Sequence, residues 1–128
     1  MYSVAISADG EYIVAGSKNG KVYLFDEDSS TPLWSHYTGD TVDGVYSVDI
    51  SADGEYIAVG SYNDFIYLFD KYNSTPLWSY ETGGNPYVSI SSNARCIGAG
   101  SWDHNVYIFY NNHLPVARWS FDEGEGTT

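Results

Sequence analysis

The sequence predicts an all-β protein made of three copies of a small four-stranded antiparallel sheet, and three observations carry that expectation. The first is an internal repeat. A shift of 44 residues lays 46–84 over 2–40 with 26 of 39 positions identical, and a shorter, more diverged third copy runs from Pro86 to about Phe121; a period near 40 residues is the mark of a repeat architecture. The second is what is repeated: short runs of β-branched and aromatic residues punctuated by Gly, Asn, Asp and Pro, without apolar spacing of helical period. The third is that Val22-Tyr23-Leu24-Phe25 and Phe65-Ile66-Tyr67-Leu68-Phe69 are apolar at consecutive positions. Successive strand side chains point to opposite faces, so such runs predict sheets covered on both sides.

In the first copy, residues 2–7 form the first strand, and Asp9-Gly10 turns the chain with glycine supplying the positive φ. Residues 11–17 form the second strand. Lys18-Asn19-Gly20-Lys21 follows, Asn-Gly being the strongest short hairpin signal, and 22–26 is the third strand. Pro32 has no N–H to give a ladder, so the fourth strand, 33–38, is expected at an edge. The second copy repeats the scheme in blocks: Tyr-Ser-Val, Ile-Ser-Ala-Asp-Gly-Glu-Tyr-Ile, Tyr-Leu-Phe-Asp and Ser-Thr-Pro-Leu-Trp-Ser, then Thr-Gly. In the third, Val88-Ser89-Ile90-Ser91, Gly100-Ser101, Val106-Tyr107-Ile108-Phe109 and Trp119-Ser120 are expected to hold the same register. Cys96 replaces Tyr12 and Tyr56 within a strand and reads as a small buried apolar residue. Small sheets covered on both faces and repeated along a chain are what β-propeller blades require. The expected blades are 1–44, 45–85 and 86–123, with 124–128 as a flexible tail.

The copies resemble blades of the WD-repeat and quinoprotein-like (PQQ-type) propellers. Phe25-Asp26 and Phe69-Asp70 stand where a WD repeat has Trp-Asp, and Asn19, Asn63 and Asp103 where it has its turn Asp. Leu33-Trp34-Ser35 and Leu77-Trp78-Ser79, each followed by Thr-Gly, resemble the tryptophan docking motif of the quinoprotein type. Departures stand beside the likeness: the Gly-His dipeptide of WD repeats is absent, Phe109-Tyr110 lacks the Asp, and Asn93-Ala94 replaces Asp-Gly.

Composition narrows the function classes. With 17 acidic against 5 basic residues, a net charge of −12 argues against a nucleic-acid surface, which needs clustered Lys and Arg. Apolar runs fall well short of the ~20 residues that span a bilayer. Met1 leads straight into repeat sequence without the pattern of a signal peptide, so the expectation is a cytoplasmic protein, or one exported as part of a longer chain. One cysteine excludes an intrachain disulfide and a Cys-based zinc site.

Catalytic patterns do not converge. His36, His104 and His113 occupy different repeat positions, so no metal or cofactor site is expected. The repeated carboxylates Asp9, Glu11, Asp53 and Glu55 fall at turns. Asp26 and Asp70 end strands and are read as acceptors that fix the next turn. Ser7, Ser51 and Ser91 lack the His and Asp spacing of a nucleophile triad. Asn73-Ser74-Thr75 fits the N-glycosylation pattern, relevant to an exported chain.

Function is sought where the copies disagree. The resemblance implies that the loops between second and third strands, together with the loops between blades, lie on one face; in the second-to-third loops Lys18, Tyr62 and Trp102 differ at one equivalent position while Asp64 and His104 stand against Gly20. These five residues are the expected binding site for a protein or small ligand on a non-catalytic scaffold, with aromatic anchors suited to a partner; the alternative for the aromatics is cover for sheet edges. A fragment of a quinoprotein-like enzyme and a surface-exposed module of a larger protein are the competing readings. Three blades do not close a ring. The expectation is a homodimer forming a six-bladed ring, each junction burying ~800 Å²; its rival is a larger propeller to which this chain contributes three blades.

Overall fold

The computed structural model describes residues 3–38, 44–110 and 115–120. Sheet 1 holds β1 (Ser3–Ile6), β2 (Tyr12–Gly16), β3 (Lys21–Asp26) and β4 (Trp34–Tyr37). Sheet 2 holds β5 (Val45–Ile50), β6 (Tyr56–Ser61), β7 (Phe65–Asp70) and β8 (Trp78–Glu81). Sheet 3 holds β9 (Pro86–Ile90), β10 (Cys96–Ser101), β11 (Asn105–Tyr110) and β12 (Pro115–Ser120). Within each sheet the strands run antiparallel in sequence order. The expected all-β fold of three four-stranded blades is what the chain forms, as an arc that is not closed. The supposed tail, 124–128, lies outside the described residues. Among the described residues no helix is long and apolar enough to cross a membrane.

The first hairpin of every sheet is locked in the same way. Ser7 Oγ accepts from Tyr12 N–H at 3.1 Å and donates to Asp9 at 2.6 Å, while Asp9 also accepts from Glu11 N–H at 3.0 Å. Ser51 with Asp53, and Ser91 with Asn93, repeat these bonds. The repeated serines and carboxylates are therefore turn locks. The strand-end aspartates act as expected, Asp26 accepting from Asp28 N–H at 3.0 Å and Asp70 from Tyr72 N–H at 2.9 Å.

Adjacent sheets are joined at three levels. Along the first strands, Val48 N–H reaches Ser3 Oγ at 3.2 Å and Val88 N–H reaches Ser47 Oγ at 3.0 Å. At the locked turns, Ala8 N–H donates to the Ala52 carbonyl and Ala52 N–H to the Ser92 carbonyl, both at 3.0 Å. On the fourth strands, the Trp34 indole N–H donates to the Lys71 carbonyl at 3.1 Å as its ring packs 5.2 Å from Phe69; Trp78 stacks on Phe109 at 4.8 Å. Between these ties lie two apolar layers. Val14, Val22 and Leu24 of sheet 1 meet Val48, Ile50 and Phe69 of sheet 2, and Ala58, Ile66 and Leu68 of sheet 2 meet Ile90, Ile97 and Phe109 of sheet 3.

Three expectations need correction. Burial on both faces holds in full only for sheet 2, where Ile66, Tyr67, Leu68 and Phe69 of β7 are all buried; sheets 1 and 3 each keep one open face, where Val4, Ile6 and Tyr110 are exposed. Cys96 is exposed rather than buried. Its counterparts Tyr12 and Tyr56 are sheltered by the following sheet, and among the described residues no sheet follows sheet 3. Trp119 pairs with Val106, the register position of His36 and Tyr80, whereas Ala117 holds that of Trp34 and Trp78. Trp119-Ser120 thus lies two residues out of the expected register, and the ladder has an irregularity between Ile108 and Phe109.

Candidate functional site: the second-to-third strand turns

Three turns share one backbone and differ in side chains. Gly20, Asp64 and His104 each close the turn by an N–H bond of 3.0–3.1 Å to the carbonyl of Ser17, Ser61 or Ser101. All three adopt left-handed backbone, with φ of +86°, +73° and +71°. Glycine takes that conformation freely; Asp and His do so at a cost of roughly 1 kcal/mol. The residue before each also contributes, Asn19, Asn63 and Asp103 accepting from the N–H two residues on at 3.0–3.2 Å.

The turns are bolted to the segments that join the sheets. Thr38 donates to the Gly20 carbonyl through N–H at 2.8 Å and hydroxyl at 2.9 Å, and Thr82 does the same to Asp64. The repeated threonine of the Thr-Gly pair is thus a clamp on the turn. Gly44 lies between the first two turns: its carbonyl accepts from Tyr62 N–H at 2.9 Å, and at φ +77° a Cβ there would overlap the Lys18 carbonyl. In the next joint Asn85 takes this place. Its carbonyl accepts from Trp102 N–H at 3.2 Å, and its side-chain amide, turned to donate, reaches the Tyr62 carbonyl at 3.1 Å and Asp64 at 3.0 Å. A bonded path therefore runs Gly44, Tyr62, Asn85, Trp102, and beside it Val45 N–H donates to the Ser17 carbonyl, next to Lys18, at 3.0 Å.

All five expected site residues lie along this rim. Trp102 is 65 % exposed, Lys18 and His104 are exposed, and Tyr62 and Asp64 are half-buried. Tyr62, Asp64 and Trp102 are brought together through Asn85; the Lys18 backbone lies beside Gly44, which accepts from Tyr62 N–H. Asn85 itself was not among the expected residues. Counted back from Val48 and Val88 the sequence sets Gly84 against Gly44, and only the bulge between Val45 and Ser47 brings Asn85 into that place.

The turn residues Asn63 and Asp103 reach back to the preceding sheet by opposite means. Asn63 donates to the Thr38 carbonyl and to Tyr67 Oη, both at 3.1 Å. Asp103 accepts from Gly83 N–H at 2.9 Å and from Tyr107 O–H at 2.6 Å. Burial pushes the Asp103 carboxyl up, but the donors Tyr107, Gly83, Ser101 and Asn105 together outweigh it and hold the group at about 2. Burial and the bond to Asp103 raise the Tyr107 phenol. These groups build the rim and leave its side chains to do the contacting.

Elsewhere, a cavity of about 200 Å³ is lined by Glu11, Tyr12, Asp26, Glu27 and Asp28. Among the described residues no group of three or more His, Cys, Asp or Glu is placed to hold a metal. His36 packs 5.2 Å from Phe69, and burial lowers its pKa; His113 lies outside the described residues. Asn73 is exposed and accepts from Thr75 N–H at 2.9 Å.

Compared with families of known proteins, residues 1–26 and 31–70, more than half of the chain, match the one described as WD domain, G-beta repeat. No curated protein matches the chain.

Proposed function

Because the chain belongs to the WD domain, G-beta repeat family, whose blades serve as protein-interaction scaffolds, we propose that it is a non-catalytic binding scaffold whose partner docks on the rim formed by Lys18, Tyr62, Asp64, Trp102 and His104. One observation carries this reading: three turns with the same hydrogen-bonded backbone present a lysine, a tyrosine and a tryptophan at one position. If these residues only closed turns, a small polar residue would serve in each. A large exposed ring on a pre-organised support is instead the kind of anchor that dominates interfaces. The partner is taken to be a protein or small ligand, and the net charge of −12 opposes nucleic acid. Binding screened on a peptide array and then quantified tests the rim: Trp102→Ala and Tyr62→Ala are expected to weaken binding roughly ten-fold or more. Unchanged affinity in both variants rejects it.

A second reading, a fragment of a quinoprotein-like enzyme, has support in the docked tryptophans Trp34 and Trp78. It predicts uptake of a quinone with calcium and a visible absorbance band, and a protein that stays colourless after that incubation counts against it.

A further inference from the structure

Each sheet has a leading face, towards the sheet before it, and a trailing face, towards the sheet after it. The leading face of sheet 3 receives sheet 2 with Val88, Ile90, Ile97, Ala99, Tyr107 and Phe109, nearly all buried. The leading face of sheet 1 carries, at the same register positions, Val4, Ile6, Ile13, Ala15, Tyr23 and Phe25. All six residue types are identical. On sheet 1, however, Val4 is 61 % and Ile6 62 % exposed. The face is built to the pattern of an existing sheet-to-sheet interface, and what fits it has the chemistry of a trailing face.

This chain offers one trailing face without a neighbour among the described residues, that of sheet 3. Gly16, Gly60 and Gly100 share one register position, opposite Val22, Ile66 and Val106. A Cβ on Gly16 would overlap Val45, and one on Gly60 would overlap the Pro86 carbonyl, each on the following sheet; among the described residues nothing lies within 4 Å of the same point on Gly100. No positive φ calls for glycine at 100, and glycine weakens a strand interior. Its small size is explained by a sheet arriving there. The turn bonds point the same way: the series of Ala8 N–H to Ala52 and Ala52 N–H to Ser92 ends with a Ser92 N–H on one side and an Ala8 carbonyl on the other.

We propose that the leading face of sheet 1 is covered by the trailing face of sheet 3 of a second copy of this chain, and reciprocally, so that two copies close one ring of six sheets. A two-fold axis along the ring satisfies both junctions at once. Four strands ~4.8 Å apart and ~20 Å long give roughly 400 Å² per face, so two junctions bury about 1,600 Å², the size of a standard stable interface. Sheet 3 is cut back on this face, Cys96 replacing Tyr12 and Tyr56 and Gly98 replacing Val14 and Ala58. The junctions between copies are therefore weaker than those within a chain, and the copies separate before the sheets unfold. The pairing concerns the sheet faces and is independent of the rim.

Light scattering coupled to size-exclusion chromatography on the full chain is expected to give one species of twice the 14.2 kDa chain mass. A stable monomer overturns the pairing, and so does a ladder of larger masses that grows with concentration, since that is open-ended addition without closure. Two variants locate the face. Ile6→Lys, on a side chain 62 % exposed, is expected to give a monomer with unchanged far-UV circular dichroism. Gly100→Val is expected to do the same while raising the melting temperature of the monomer, because valine favours strands; retention of the dimer in either variant overturns the assignment. The Cys96 thiol supplies a second readout, labelling roughly ten-fold more slowly in the parent than in Ile6→Lys, since reactivity follows exposure. Equal labelling rates count against the paired face.

Discussion

Asn63 and Asp103 occupy one turn position, and the bond each makes is set by what the neighbouring joint offers. Asn63 meets a carbonyl, that of Thr38, and donates; Asp103 meets the Gly83 N–H and the Tyr107 O–H, and accepts. Asp103→Asn leaves at least one donor facing an amide nitrogen and is expected to cost about 1–2 kcal/mol at neutral pH, read by urea unfolding. The pH dependence has a definite sign. The folded carboxyl sits at about 2 against an ordinary 3.8, so the ionised form stabilises the fold above about pH 4 and that contribution is lost as pH falls towards 2. Solvent screening limits it to about 1 kcal/mol, and Asp103→Asn removes this slope. An unchanged acid slope in the variant shows that another carboxylate carries it. At the same scale Cys96 marks where sequence reading stops: its strand position was legible, but its burial depends on the sheet that follows, which one residue in one copy does not encode.

At the scale of strands and joints, the repeat made nearly everything legible. Turn residues, strand order and the edge position of the fourth strand follow from glycine, proline and apolar runs, each present at least twice. The register of β12 did not follow, because Trp119-Ser120 matches Trp34-Ser35 as text while the ladder sets Ala117 at the position of Trp34. Matching text does not fix register across a connection of different length. The docked tryptophan separates two contributions. Trp34→Phe keeps the ring against Phe69 and loses the bond to the Lys71 carbonyl, at about 1 kcal/mol; Trp34→Ala also loses the packing, about 2–3 kcal/mol for a half-buried ring. Equal losses in the two variants, measured by chemical denaturation, contradict that division. Gly44→Ala tests the joint beside it. With φ of +77° and the Lys18 carbonyl in the way, alanine is expected to cost about 2 kcal/mol or more, and a loss below ~0.5 kcal/mol shows that the joint rearranges freely.

Across the whole molecule, stability is graded by how many faces of a sheet are covered. Sheet 2 is enclosed by both neighbours, and Ile57, Ala58, Val59, Ile66, Leu68 and Phe69 are fully buried. Sheets 1 and 3 are enclosed on one side only, and in a single copy their open faces carry the exposed Val4, Ile6 and Tyr110. Local opening exposes least new surface where cover is already missing, so its free energy is lowest there. In dilute solution, where single copies dominate, amide exchange is expected to be slowest in β6 and β7 and faster in β3 and β11, although all four are central strands with similar ladders. Raising the concentration covers the open faces and is expected to slow exchange in β3 and β11 towards that of β7, with little change in β7 itself. Hydrogen exchange read by mass spectrometry at two concentrations makes the comparison. A dilute-state order that puts β3 or β11 above β7 contradicts one-sided burial as the source of the gradient. A gradient that ignores concentration places the difference in the strands' own composition, not in the missing neighbour.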